Sequence, residues 1–137
     1  CIRDRIKAIL GVGDLETLRN VAKASLVCMM AGADFIKTST GKESINANLN
    51  NSLVMLRMIR DFYTKTGKKI GFKPAGGIST AKSVLEFLIL VAEELGFEWV
   101  NPKLLRIGAS SLLIDIERQL YHYTSGRYAN KEKLAIG

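Results

Sequence analysis

DFIKTSTGK (Asp34–Lys42) and IGFKPAGGIST (Ile70–Thr80) decide how this chain is read. Each is a short apolar run that ends in a lysine, Lys37 or Lys73, and then enters a glycine-bearing turn. A lysine among strand residues is costly, because burying an ammonium without a partner costs several kcal/mol. A chain that does this at matching places in two successive units points to amine chemistry, and so to a Schiff-base enzyme.

Two further runs of the same kind lie outside these, IKAILGV (Ile6–Val12) and Leu104–Ile107. All four are short and apolar, as strands buried on both faces are. A turn with Gly and Ser, Thr or Asp follows each, and then a helical pattern. The helices are expected near Glu16–Ala31, Asn50–Thr66, Thr80–Leu95 and Leu112–Thr124. In the second, Leu53, Leu56, Ile59, Phe62 and Tyr63 recur at helical spacing; Val84, Leu85, Leu88, Val91 and Leu95 do so in the third. Gly32, Gly67 and Gly96 stand just past helix ends, where a left-handed residue is expected. Lys37 and Lys73 are 36 positions apart, and Lys73 and Ile107 are 34 apart. Strand–helix units at this period imply a parallel sheet with right-handed crossovers. Two architectures fit: an open doubly wound sheet, or part of a (β/α)₈ barrel, which needs about 250 residues. Four units in 137 residues are close to half of such a barrel. The missing GxGxxG and ribose-binding acid make a dinucleotide domain a poor fit. The tail from about Ser125 to Gly137 is polar and weakly patterned.

Apolar residues make up 47% of the chain and charged residues 24%, a globular composition with enough apolar residues for a core. No run approaches the roughly 20 apolar residues that cross a bilayer, and no signal peptide opens the chain. Two cysteines, Cys1 and Cys28, are too few for a disulfide framework, and Cys28 in LVCMMAGA reads as a core thiol in a reducing, cytoplasmic setting. The only histidine is His122, no His, Cys or acid cluster has metal-ligand spacing, and neither a metal nor a cofactor is expected. The net charge of +7 favours anions such as phosphate esters, nucleic acids or membrane surfaces. The basic residues are scattered, however, and no RNA-binding aromatic motif or zinc-finger spacing appears, so neither nucleic acid nor membrane is expected as a partner. The chain begins with Cys, which implies processing or a piece of something longer.

In either architecture function gathers at the C-terminal ends of the strands. Lys37, Lys73 and Arg106 fall at or near those ends. The turns after them are TSTGK (38–42), PAGGIS (74–79) and GASS (108–111). Glycine admits a ligand close to the backbone, and serine with the N–H groups of a helix start binds anions. The plainer reading makes Gly76, Gly77, Ser110 and Ser111 turn and N-cap residues only. Schiff-base chemistry needs a neutral amine, whereas a free lysine titrates near 10.4. Adjacent parallel strands lie about 4.8 Å apart, so inward lysines at equal height meet. Two like charges about 4 Å apart repel by roughly 4 kcal/mol at an effective dielectric of about 20, or about three pKa units. One lysine is then nucleophile and the other its tuner; alternatively both reach outward and bind phosphate. Spacing alone leaves both open.

The motifs DFIKTSTGK, GFKPAGGI and RIGASSLL, in this order and spacing, resemble the deoxyribose-phosphate aldolase family of class I aldolases. MLRMIRDFYTKTGKKIGFKPAGG and ERQLYHYTSGRY are similar to its eukaryotic branch, and the resemblance runs from about Ile6 to Tyr128. It implies four consecutive βα units forming the C-terminal half, strands five to eight, of a (β/α)₈ TIM barrel spanning 1–137. It implies reversible retro-aldol cleavage of 2-deoxy-D-ribose 5-phosphate to D-glyceraldehyde 3-phosphate and acetaldehyde. Lys37 matches the imine-forming lysine and Lys73 the lysine that perturbs it. Gly41, Lys42, Gly76, Gly77, Gly108, Ser110 and Ser111 match positions around the phosphate. Three departures stand out. Ser79 replaces a frequent arginine. Val12 replaces a frequent threonine. The proton-relay aspartate belongs to an earlier strand that the chain lacks, and Asp34 is a poor substitute, three residues from Lys37 and on the opposite face. The expected partners are sugar-phosphate and aldehyde substrates, with homo-oligomerisation or pairing with a missing N-terminal half to cover exposed strand edges. The rival reading is a truncated or split, non-catalytic half-barrel that still binds phosphate.

Overall fold

The computed structural model describes residues 5–130. Strands and helices alternate along it: β1 (Lys7–Ile9), α1 (Leu18–Met30), β2 (Phe35–Lys37), α2 (Leu49–Thr66), β3 (Gly71–Lys73), α3 (Ala81–Leu95) and α4 (Leu112–Ser125). The strands form one sheet in the order β1-β2-β3, parallel throughout. Each helix start is built locally. Thr17 and Asn48 accept the N–H of Asn20 and Asn51 at α1 and α2, and Thr80 with Ser83 makes a capping box at α3. Ser111, by contrast, offers α4 no side-chain cap.

The sheet has two chemically different faces, because successive strand residues point to opposite sides. Ala8, Ile36 and Phe72 occupy one side by register. There Ile36 and Phe72 join the fully buried core with Met55, Leu56 and Ile59 of α2 and Val91 of α3. The other side carries Lys7 and Ile9, Phe35 and Lys37, Gly71 and Lys73. Phe35 lies across Gly71, where a Cβ would overlap its ring. The cationic groups of Arg5, Lys7 and Arg106 surround the Phe35 ring at 5.9, 6.0 and 5.2 Å.

Two sequence expectations need correction. The apolar run Leu104–Ile107 is not a fourth strand; it touches β3 only through isolated parallel bridges, Phe72↔Leu105 and Ala75↔Gly108. The bonds Phe72 N–H to Leu104 O, Arg106 N–H to Phe72 O and Gly108 N–H to Pro74 O follow a parallel ladder. The ladder breaks between the two bridges because Pro74 has no N–H to donate. Gly96 is not left-handed helical: at φ 88°, ψ 161° it occupies an extended region open essentially to glycine alone, and it leads into a 3₁₀ turn at Phe97–Trp99. Trp99 there is buried, and its indole N–H donates to Ile70 O at 3.0 Å. After α4, Tyr128 stacks on His122 with centroids 4.1 Å apart, and Ala129 is buried. Cys28 is half-buried against the core, while Cys1 and residues 131–137 lie outside the described residues.

Candidate active site

The β2–β3 register sets Lys37 opposite Lys73 on the same sheet face. Both are half-buried. The Lys73 amine is held below its usual range, first by burial and then by the charges of Lys37, Lys7 and Arg106. Lys7 reaches this group because it shares a face with Ile9, which is level with Lys37. Sequence reading passed over Lys7, although its i, i+2 relation to the strand end is the signal that places it. Asp34 sits at the other end of β2, accepting the Ile6 N–H at 3.0 Å.

Above the lysines the three turns close around a hollow of about 530 Å³. Lys37, Gly41, Lys42, Gly76, Gly77, Gly108, Ser110 and Ser111 all line it, and so does Ser79. Of the catalytic and phosphate-binding residues expected from sequence, Lys73 alone is absent from the lining. It lies beneath, with its Cε 3.2 Å from where a Cβ on Gly108 would stand. Gly76 has φ +90°, and a Cβ there would run into Asn46, so this turn requires glycine for both reasons. Val12 does not reach the hollow: it is a buried core residue whose N–H donates to Thr38 O. The free N-terminal turn of α4, two hydroxyls and the Lys42 ammonium give the hollow the chemistry of an anion site.

The turns are tied together by groups the sequence did not single out. Thr38 and Ser39 are fully buried and bond to Ala75, and Ser39 also donates to Asn46 Oδ1 at 2.9 Å. Glu43 accepts from both the N–H and the hydroxyl of Thr40. A second hollow of about 650 Å³ opens at the other end of the strands. Four of its charged side chains are already engaged: Lys69 with Glu98 at 2.6 Å, Asp34 with the Ile6 N–H, and Arg5 with Lys103 O. It is larger, but it holds no lysine pair and is not the candidate site.

A family model described as DeoC/LacD family aldolase matches residues 8–113. Deoxyribose-phosphate aldolase of Mus musculus is 65% identical over 129 residues, covering 94% of this chain and 41% of the mouse protein. That of Homo sapiens is 64% identical over the same length and coverage. The chain therefore spans about two fifths of the curated relatives it matches. Among solved structures, the apo form of a candidate deoxyribose-phosphate aldolase from Toxoplasma gondii ME49 superposes with a TM-score of 0.75 at 21% identity, over 90% of this chain and 47% of that one. QR15, an aldolase, superposes with a TM-score of 0.58 at 26% identity, over 86% of this chain and 44% of that one.

Proposed function

This chain belongs to the DeoC/LacD aldolase family, and we propose that it carries the lysine pair and phosphate loops of a deoxyribose-phosphate aldolase. The observation that carries the reading is the pairing of Lys37 with Lys73 directly beneath a hollow lined by glycine and serine turns. In this reading β1, β2, β3 and the bridged segment before α4 take the places of strands five to eight of a (β/α)₈ barrel. The lysine-bearing face is then the barrel interior, and the hollow opens at the strands' C-terminal ends.

Lys37, which lines the hollow, is the nucleophile. Its neutral amine adds to the substrate carbonyl to give a carbinolamine, which loses water to form the imine. The imine draws electrons as the C2–C3 bond breaks and the C3 hydroxyl gives up its proton, releasing glyceraldehyde 3-phosphate; the enamine left behind takes a proton at C2, and hydrolysis then frees acetaldehyde and the amine. Lys73 supplies the neighbouring positive charge that favours the neutral amine. Lys42, Gly76, Gly77, Ser110 and Ser111 receive the phosphate. The charges that act on Lys73 are cationic, and in this reading the carboxylate that moves protons belongs to an earlier strand of the barrel. That complement also has to answer the positive face. Two copies closing face to face would set Lys7, Lys37, Lys73 and Arg106 against the same four cations, and so pairing with a carboxylate-bearing half is favoured over self-closure. No helix among the described residues is long and apolar enough to cross a membrane.

The test is trapping. Acetaldehyde and borohydride should leave an ethyl group on Lys37, located by peptide mapping; an unmodified Lys37 under conditions that turn over substrate refutes the assignment.

A further inference from the structure

Resting on the reading of Lys37 and Lys73 as the reacting pair, we propose that Thr38 is a positioning residue that holds the two lysine-bearing strand ends at their working separation. The β2–β3 ladder reaches its end here, with Thr38 N–H to Lys73 O stretched to 3.3 Å. A continuing parallel ladder would send the next N–H of the β3 side, that of Ala75, to Thr38 O. Thr38 O is instead turned the other way and accepts the Val12 N–H at 3.1 Å. The Thr38 hydroxyl takes over the lost contact. It accepts the Ala75 N–H at 2.9 Å and donates to Ala75 O at 3.0 Å. One fully buried residue thus joins the ends of β1, β2 and β3. Ser39 adds a single tie, donating to Ala75 O at 2.8 Å.

The lysines sit just before the ends of this clamp, Lys37 one residue before Thr38 and Lys73 two residues before Ala75. The groups acting on Lys73 are Lys37 from β2, Lys7 from β1 and Arg106 from the segment before α4, all of one sign. Without a tie these charges drive the strand ends apart. Opening the separation from about 4 to about 5 Å at an effective dielectric of about 20 would raise the pair's apparent pKa by about 0.6 unit. Trapping would then move to higher pH.

The experiment compares Thr38→Val, Thr38→Ser and the parent in the intact protein, reading the rate of acetaldehyde–borohydride trapping at Lys37 against pH. The expected result is a Thr38→Val profile displaced upward by about 0.6 pH unit, about fourfold slower at neutral pH, with Thr38→Ser on the parent curve because it keeps the hydroxyl. Coincident profiles for Thr38→Val and parent, with the adduct still on Lys37, would overturn the positioning role and leave the imine assignment standing. An absent Lys37 adduct in the parent would overturn both. If Thr38→Val fails to fold by circular dichroism, Thr38→Cys, which keeps the volume and nearly loses both bonds, is read by the same criterion.

Discussion

Replacing Gly108 by alanine is the sharpest steric test of how the site is built. Gly108 has no positive φ, so alanine brings no backbone strain, only volume. The new Cβ would stand 2.6 Å from Ala75 Cβ, 3.3 Å from Ala75 Cα and 3.2 Å from Lys73 Cε. Carbons in contact prefer about 3.5–4.0 Å, so the first of these is short by about 1 Å. Ala75 is buried and has no longer side chain to swing aside. The segment before α4 must therefore back away from β3 by about that distance. The Gly76 N–H to Gly108 O bond, already 3.4 Å, is lost first, and Gly108 N–H to Pro74 O, at 2.8 Å, is strained next. Overpacking of this kind costs about 1–3 kcal/mol. A reacting group misplaced by about 1 Å can cost about 10²-fold in rate. Gly77→Ala is the matched control: nothing lies within 4 Å of its Cβ, but its φ is +76°. It should lose about 1–2 kcal/mol through the left-handed backbone alone, without pushing on Lys73. Urea unfolding and retro-aldol kcat/KM of the intact protein measure both quantities. Stability within about 0.5 kcal/mol of the parent, together with unchanged kcat/KM for Gly108→Ala, would refute the close packing of Gly108 on Lys73.

Lys73→Met should raise stability at neutral pH. The folded state lowers the Lys73 pKa from 10.5, so the unfolded chain holds this proton more tightly, and stability rises with pH between the folded value and about 10.4; urea midpoints across that window should flatten in the variant. Ser79→Arg adds a guanidinium to the lining of the hollow and should lower KM for the phosphorylated substrate several-fold while leaving KM for a non-phosphorylated analogue unchanged. Trp99→Phe removes the N–H that satisfies Ile70 O and part of an edge-on contact with Tyr63 at 5.1 Å, and should cost about 1–3 kcal/mol in chemical denaturation.

The order of units and the helix starts were legible because they are local. Apolar runs, Thr80 before a helical pattern, and Gly67 after one each carry their signal within a few residues. The equal height of Lys37 and Lys73 was legible too, since both close runs of the same kind and the register pairs them. The broken fourth strand was not. Pro74 is plain in the sequence, but whether its missing N–H matters depends on which neighbour that position faces, and only the sheet decides this. Gly96 is recognisable as a helix-ending glycine, yet its ψ is set by the following turn that buries Trp99. Thr38 was hidden for another reason. In TSTGK its hydroxyl reads as one more phosphate-loop donor, whereas its partners lie 37 positions away at Ala75.

The lysine whose pKa is lowered need not be the one that reacts. The lowered pKa falls on Lys73, whereas the proposed nucleophile is Lys37. Burial is the first cause of the Lys73 shift, and what buries it also screens it: Gly108 lies against its stem, and it has no place in the lining of the hollow. Lys37 lines the hollow directly. Access then selects the reacting nitrogen, while the deeper lysine with Lys7 and Arg106 sets the pH at which a neutral amine exists. Two measurements separate these roles. The trapped ethyl group should map to Lys37, and Arg106→Leu, which removes a charge acting on Lys73 without touching the nucleophile, should move the trapping profile to higher pH. A profile that stays in place would show that the cationic face does not tune the amine.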